Sequence, residues 1–496
     1  MADLYLTKSD YLDYRACPSF CWLRKHRPEL VPPDESAADR RRRYFGNQID
    51  RLARSLYPNG LAVSAKSVLS GAEETRRAID DPSVECLFQA TVTASPGFLA
   101  RADVLIRHGD GWQIVEVKSA CNLDDEHLAD AAFQLVTFEA AGLNIAGVSL
   151  LHLDCTYVRD GSIDPSKLFV ITDCTREVHK IQSETFVEMT SALDQLRSDV
   201  QPVTCDCHLK TRSNHCPTFF YFHPEIPEAG SIYELQNLRA PKLERVLQCG
   251  VYALRDWPDQ VDLSIGQQHQ LTAHRTGQPQ LDIDGLRSFL NAFIYPLHFL
   301  DYETSNVPLP MFDGCWPYQQ VPFQYSLHIL AVDGSQEHRE FLAIDANANP
   351  VPKLVAQLRR DVGEEGSLVA WNAPFEKAIH VQMAADFPGH SEFLLRLNGR
   401  VLDLRESVSR HHYVHPGFNG SSSIKAVAPV VAPDLSYGDL LIQDGEMAGE
   451  KWLACVLGEV ESSRLDEMFR ALREYCSLDT RALVRIWQHL SDLCGR

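Results

Sequence analysis

The apolar run from Ile294 to Leu300 ends in Asp301-Tyr302-Glu303, and this junction constrains the chain more than any other stretch. Such a run reads as a strand, and the two-residue alternation puts Asp301 and Glu303 on one face. Two carboxylates side by side repel each other unless a cation stands between them. A second acidic set lies far upstream on two strand-like runs, Phe98 to Ile106, which carries Asp103, and Trp112 to Val117, which leads into Glu116-Val117-Lys118. Two strand-borne acid sets so far apart require more than one α/β core. The 496 residues suit two or three domains of ordinary size.

Hydrophobic residues make up 45% of the chain and charged residues 23%, a globular balance without low-complexity tracts. The net charge of −20 argues against a broad surface that coats nucleic acid, because such binding is driven by counterion release from phosphates. It leaves room for acidic metal sites and for local basic patches such as Arg40-Arg41-Arg42-Arg43, which also reads as a solvated helix face. The start of the chain lacks the basic and apolar regions of a secretory signal, and no run approaches a membrane span. A cytoplasmic location without a membrane partner is the expectation, with the fourteen cysteines reduced, mostly in the core, and a minority binding metal.

Three regions are expected. Residues 1–218 read as an α/β unit, with helices around Tyr11 to Arg27, Arg40 to Leu56 and Asp125 to Ala141, and a hairpin turning at His108-Gly109-Asp110-Gly111. Residues 219–290 read as a small helical connector in which Ala240 to Gln248, Cys249-Gly250 and Val251 to Asp256 loosely follow a helix-hairpin-helix pattern. Residues 291–496 alternate strands and helices, the last helix running from about Leu465 to Leu490.

In the first region, alternation puts Glu116 and Lys118 on one side of their strand, and pairing of the hairpin could bring Asp103 beside Glu116. Acids so placed suit Mg2+ or Mn2+, with Lys118 positioning water or stabilising phosphate charge; exposed polar positions of a half-buried sheet look the same in sequence. The motifs Ala102-Asp103-Val104-Leu105, Val115-Glu116-Val117-Lys118-Ser119 and Ala132-Phe133-Gln134 resemble the PD-(D/E)XK nucleases of the RecB type, most closely the CRISPR-associated branch. The resemblance implies a restriction-endonuclease-like domain in which Asp103 and Glu116 hold metal and Lys118 and Gln134 are catalytic. Phe138 stands where that family often has tyrosine, and Asp50 is the candidate for its helical acid. The same branch often carries a [4Fe–4S] cluster, which implies Cys17, Cys205, Cys207 and Cys216 as ligands, with Cys21 and His208 as substitutes and zinc as the rival metal.

In the last region, Glu376 follows an apolar run at a helix start, and Tyr475 and Asp479 are four apart, so a helix stacks them. The ordered set Asp301, Glu303, Glu376, Tyr475 and Asp479 resembles the DEDD exonucleases of the ribonuclease H-like fold. This implies two metal ions held by Asp301, Glu303, Glu376 and Asp479, with Tyr475 orienting water. Glu376 replaces the family's usual aspartate, and Asp403 is the reserve ligand. Including Phe299 to Thr304, Pro322 to His328 and Gly420 to Val427, nearly the whole chain is similar to an uncharacterised bacterial group that fuses the two modules. The resemblance implies a metal-dependent nuclease with two centres, acting on DNA ends or single strands in repair or defence. RNA as substrate, or a nucleic-acid-binding adaptor with one or both centres inactive, are the alternatives.

Overall fold

The computed structural model describes residues 4–32, 37–345 and 348–496. The protein is mixed α/β, and its chain divides into two compact units. The first unit takes the chain as far as His208, together with Asn214–His223 and Val307–Tyr318. The second takes Leu209–Ser213, Pro224–Asn306 and Gln319–Arg496, so most of the expected connector packs with the C-terminal region.

The first unit is built on a seven-stranded sheet of β1 (Leu6–Thr7), β2 (Leu61–Ala62), β3 (Cys86–Ala94), β4 (Phe98–His108), β5 (Gly111–Lys118), β6 (Ile145–Leu153) and β7 (Phe169–Asp173). The order is β2-β3-β4-β5-β6-β7, with β1 beside β4. The hairpin β4–β5 closes as its sequence predicts: His108 faces Gly111, and Gly109 takes a left-handed φ of +57°. β5 and β6 are parallel, so the chain must cross over between them, and Asp125–Ala140 makes that crossing as a helix capped by Asp124. Its buried face includes Phe133 and Phe138, which join Leu105, Ile114 and Leu150 in the core.

The helix expected over Tyr11 to Arg27 is two helices, α1 (Lys8–Ala16) and α2 (Pro18–His26). A residue before proline is pushed out of the helical region. Cys17 accordingly ends α1, adopts an extended φ of −162°, and caps α2 through its sulfur, which accepts the Phe20 amide at 3.4 Å. The arginine run lies in a helix, Ala37–Arg54, where Arg42 pairs with Asp39 at 3.3 Å.

One expectation about the cysteines fails, because Cys121 and Cys155 form a disulfide with a Cα separation of 5.5 Å. They follow the ends of the neighbouring parallel strands β5 and β6, a proximity that a sequence separation of 34 conceals. Nearby, Val307–Tyr318 packs within the same unit: the Arg159 amide donates to the Cys315 carbonyl at 2.9 Å, and the Tyr318 hydroxyl donates to the Ser119 carbonyl.

The second unit holds a short pair, β8 (Gln280–Leu281) with β14 (Tyr413–Val414), and a five-stranded sheet. The latter is formed by β9 (Leu297–Asn306), β10 (Gln320–Leu330), β11 (Gln336–Leu342), β12 (Ser367–Ala370) and β13 (Val401–Asp403), in the order β11-β10-β9-β12-β13. β9 lies at the centre, antiparallel to β10 and parallel to β12. It begins later and runs further than the apolar pattern indicates, so Asp301 and Glu303 sit inside the strand rather than at its end. The helix-hairpin-helix expectation also fails. Ala240–Gln248 is helical, but after Gly250 the chain forms a bridge from Ala253 to Ser231 and one 3-10 turn, Leu254–Asp256.

Gly366 enters β12 with φ of +82°, and a methyl group there would overlap the Pro296 carbonyl oxygen. Gly366→Ala is expected to destabilise the second unit by about 2–3 kcal/mol, measured by denaturant unfolding, because neither the backbone angle nor the neighbouring backbone can give way cheaply. Among the described residues no helix is long and apolar enough to cross a membrane.

Candidate functional site

In the second unit, Asp301, Glu303, Glu376, Lys425, Tyr475 and Asp479 line one cleft of about 320 Å3. β9 presents Asp301 and Glu303 on one face while Leu300 and Tyr302 turn to the other. The helix Leu465–Leu493 crosses that first face. Its stripe of buried residues at three- and four-residue spacing includes Leu472, Cys476, Leu483 and Trp487, and within that stripe stand Tyr475 and Asp479. Three bonds fix its register: Gln324 donates to the Leu472 carbonyl at 2.9 Å, while the Thr480 hydroxyl meets Ser326 at 2.7 Å and His328 at 2.8 Å. Glu376 enters from the first turn of Ala373–Asp386, a helix begun by Asn372-Ala373-Pro374, where an acid also suits the helix dipole.

The electrostatics are those of an unbalanced acidic cluster. Burial, then Asp479, Glu303 and Glu376, push Asp301 well above the usual carboxylate range. Burial and Asp479 do the same to Glu303. Burial raises Asp479 to about 6 and Glu376 to about 8. Among the described residues none of these four carboxylates forms an ion pair within 4 Å, and one buried oxygen of Glu376, Oε2, has no hydrogen-bond partner. The nearby cation is Lys425, whose ammonium donates to the Gln443 carbonyl at 2.9 Å and stands 5.9 Å from the Tyr475 ring centre. Four carboxylates with excess negative charge fit hard divalent cations such as Mg2+ or Mn2+. Asp403, the reserve ligand, is not on the cleft wall; its carboxylate accepts the Arg405 amide at 3.0 Å.

Sequence reasoning missed Tyr437, whose hydroxyl donates to Asp479 at 2.7 Å, and Cys476, whose sulfur lies within 4.8 Å of Asp301 and Glu303 oxygens. It also passed over the buried relay behind β9, in which Tyr302 meets His380 at 2.9 Å and His380 meets Asn398 at 2.7 Å.

In the first unit, Asp103, Glu116, Lys118 and Gln134 also come together, but with a different charge balance. The Asp103 carboxylate accepts the Val117 amide at 2.9 Å and the Gln89 side chain at 3.1 Å. Gln89 holds a left-handed φ of +56° in β3. Glu116 accepts Gln134 on one oxygen and, on the other, Lys8 at 2.5 Å and Lys118 at 3.3 Å. Both lysines also reach Asp130, Lys8 at 3.2 Å. Burial would raise Glu116, yet Lys8 and Lys118 hold it at about 2. Burial and Glu116 raise Asp103 to about 7, and the same two causes push Asp130 up. Two ammonium groups thus face three acids, and the surplus is carried by the two raised carboxyls. Lys8 and Asp130 escaped the sequence reading, although Asp130 precedes Gln134 by one helical turn. Phe138, also one turn from Gln134, is wholly buried, and Asp50 pairs with Arg54 at 2.7 Å.

The sulfur atoms of Cys17, Cys205, Cys207 and Cys216 all lie within 4.8 Å of one another, and the group could hold a metal. The two suggested substitutes stand outside it. Cys21 donates to the Asp10 carbonyl at 3.2 Å, and His208 Nδ1 lies 2.9 Å from the Cys205 carbonyl oxygen.

Residues 298–423 match a domain of unknown function, DUF2779. The chain is also similar to the uncharacterized protein MG366 of Mycoplasma genitalium, 24% identical over 212 residues that cover 39% of this chain and 32% of that protein. The Mycoplasma pneumoniae homolog of MG366 is 21% identical over 287 residues, covering 53% of this chain and 40% of its own. The chain therefore spans well under half the length of both relatives. No solved structure matches it. The stretch that matches DUF2779 carries Asp301, Glu303 and Glu376 and includes Val307–Tyr318 of the first unit, while Lys425, Tyr475 and Asp479 lie beyond its matched end.

Proposed function

We propose that the protein is a divalent-metal-dependent nuclease whose hydrolytic centre is the acidic cleft of the second unit. The observation that carries this reading is the convergence of Asp301, Glu303, Glu376 and Asp479 on one cleft, with Lys425 as the cation on its wall and no ion pair within 4 Å to any of the four among the described residues. Bound Mg2+ or Mn2+ would polarise the phosphodiester and generate hydroxide at neutral pH. The chain's own part is to hold the four carboxylates on rigid elements, to orient an attacking water through Tyr475, and to offer Lys425 to a neighbouring phosphate. The strand order β11-β10-β9-β12-β13, with the acids on the central strand, supports a ribonuclease H-like fold. The β3–β4–β5 meander with Glu116 and Lys118 at its end supports a RecB-like one for the first unit. DNA ends or single strands, met in the cytoplasm during repair or defence, are the favoured substrates.

A second reading concerns the first unit. Both oxygens of Asp103 and both of Glu116 are already occupied by protein donors, which favours a nucleic-acid-binding platform there over a second working centre.

The deciding experiment is Mn2+-dependent cleavage of end-labelled single-stranded DNA, duplex DNA and RNA by wild type, Asp301→Ala and Lys118→Ala. Loss only in Asp301→Ala supports one centre, and separable losses support two. A folded wild type that cuts none of the three substrates overturns the nuclease reading.

A further inference from the structure

We propose that Cys17, Cys205, Cys207 and Cys216 hold one tetrahedral zinc-class ion rather than the four-iron cluster that the family resemblance implies. The proposal does not depend on the hydrolytic reading. A zinc ion binds thiolate sulfur at about 2.3 Å, so the edges of its tetrahedron are about 3.8 Å long. Cys205 and Cys216 stand 3.9 Å apart, and no pair in the quartet exceeds 4.8 Å. In a four-iron cluster each thiolate binds a different iron at its own corner of a cube, which sets the sulfurs farther apart than four that share one ion.

The local backbone supports the tighter spacing. One residue separates Cys205 from Cys207, and a 3-10 turn, Asp206–Leu209, begins between them. Cys17 is fixed on the opposite side by the break between α1 and α2, with Pro18 at the start of α2 and the Phe20 amide directed at its sulfur. Widening the group would uncap α2. Polar groups lie beside the sulfurs: the Thr218 hydroxyl is 3.6 Å from Cys216, and Nε2 of the buried His223 is 3.4 Å from the Cys205 sulfur and 2.8 Å from the Cys205 carbonyl oxygen. Four thiolates on a divalent ion leave a net charge of about −2, which hydrogen-bond donors offset. The ion would tie the α1–α2 junction to the segment that follows Thr175–Arg197. Zinc has no redox chemistry of its own, so the tie would not depend on electron transfer at the metal.

The test is the metal content of the full chain purified without oxygen from cells supplied with both iron and zinc. About one zinc per chain without acid-labile sulfide is expected. Substitution with cobalt(II) should then give the intense visible ligand-field bands of a tetrahedral site together with thiolate-to-cobalt charge-transfer bands. About four irons and four sulfides per chain, or no bound metal at all, would overturn the proposal. A Cys205→Ser variant should lose the zinc; if it does not fold, the wild-type count decides alone. Nuclease activity plays no part in this readout, so the two proposals can fail separately.

Discussion

Asp301→Asn is expected to lower Mn2+-dependent hydrolysis at the second-unit centre by about 10³-fold or more while raising the melting temperature of the metal-free protein. The two effects have one cause. Asp301 is pushed upward by burial and by Asp479, Glu303 and Glu376, so its charge destabilises the cluster until a cation arrives. An asparagine of the same shape relieves that repulsion and removes a ligand. The pH dependence follows from the signs. Carboxyls whose folded pKa is raised bind protons more tightly in the folded state, so their contribution to stability is complete below the unfolded values near 4. It is lost as pH rises through about 6 for Asp479 and about 8 for Glu376. Metal-free protein should therefore melt lower at pH 8 than at pH 5. Mn2+ should reverse that difference, adding about 2.7 kcal/mol at a hundredfold excess over its dissociation constant. Thermal unfolding with and without chelator tests both. A melting temperature independent of pH and Mn2+ would argue against a cation site.

Lys118→Met is expected to cost the first unit about 3–5 kcal/mol, the usual penalty for removing one partner from a buried ionic group. Glu116 is 1% exposed and Asp130 2%, so neither can turn to water when one of its two ammonium partners is lost. Lys8 would remain as the one lysine reaching both acids. Adding Asp130→Asn leaves Lys8 to serve Glu116 with one fewer buried carboxyl to balance, and should recover much of the stability. Any activity that depends on Lys118 should stay lost in the double variant, and denaturant unfolding beside a cleavage assay separates the two roles. Recovery of activity together with stability would make Lys118 a structural cation.

Much of the local structure was legible because its signals are local. Gly109-Asp110 between two alternating runs specifies a two-residue hairpin, and the apolar stripe from Met468 to Leu490 specifies a long helix. That stripe also held a hint of the site, since Tyr475, Asp479 and Thr480 interrupt a mostly apolar buried face. Other features depend on distant pairing. Lys8 meets Glu116 across 108 residues and Tyr437 meets Asp479 across 42, and neither contact leaves a periodic trace. The break at Cys17 was readable from Pro18, yet an apolar pattern continuing through both helices masked it. The disulfide was missed because thiol pairing depends on which strand ends become neighbours, and composition does not carry that information.

The strip Val307–Tyr318 bears on the order in which the protein can be made. The main body of the first unit is translated by His208, but the residues that bond Arg159 and Ser119 emerge only at Val307–Tyr318, about 100 residues later. At ribosomal speeds of about 5–20 residues per second, that leaves roughly 5–20 s in which the unit waits without one of its own pieces. During that interval the carbonyl of Ser119, next to Lys118, lacks the Tyr318 hydroxyl, and the chain is open to proteases and chaperones at a place that is closed in the finished protein.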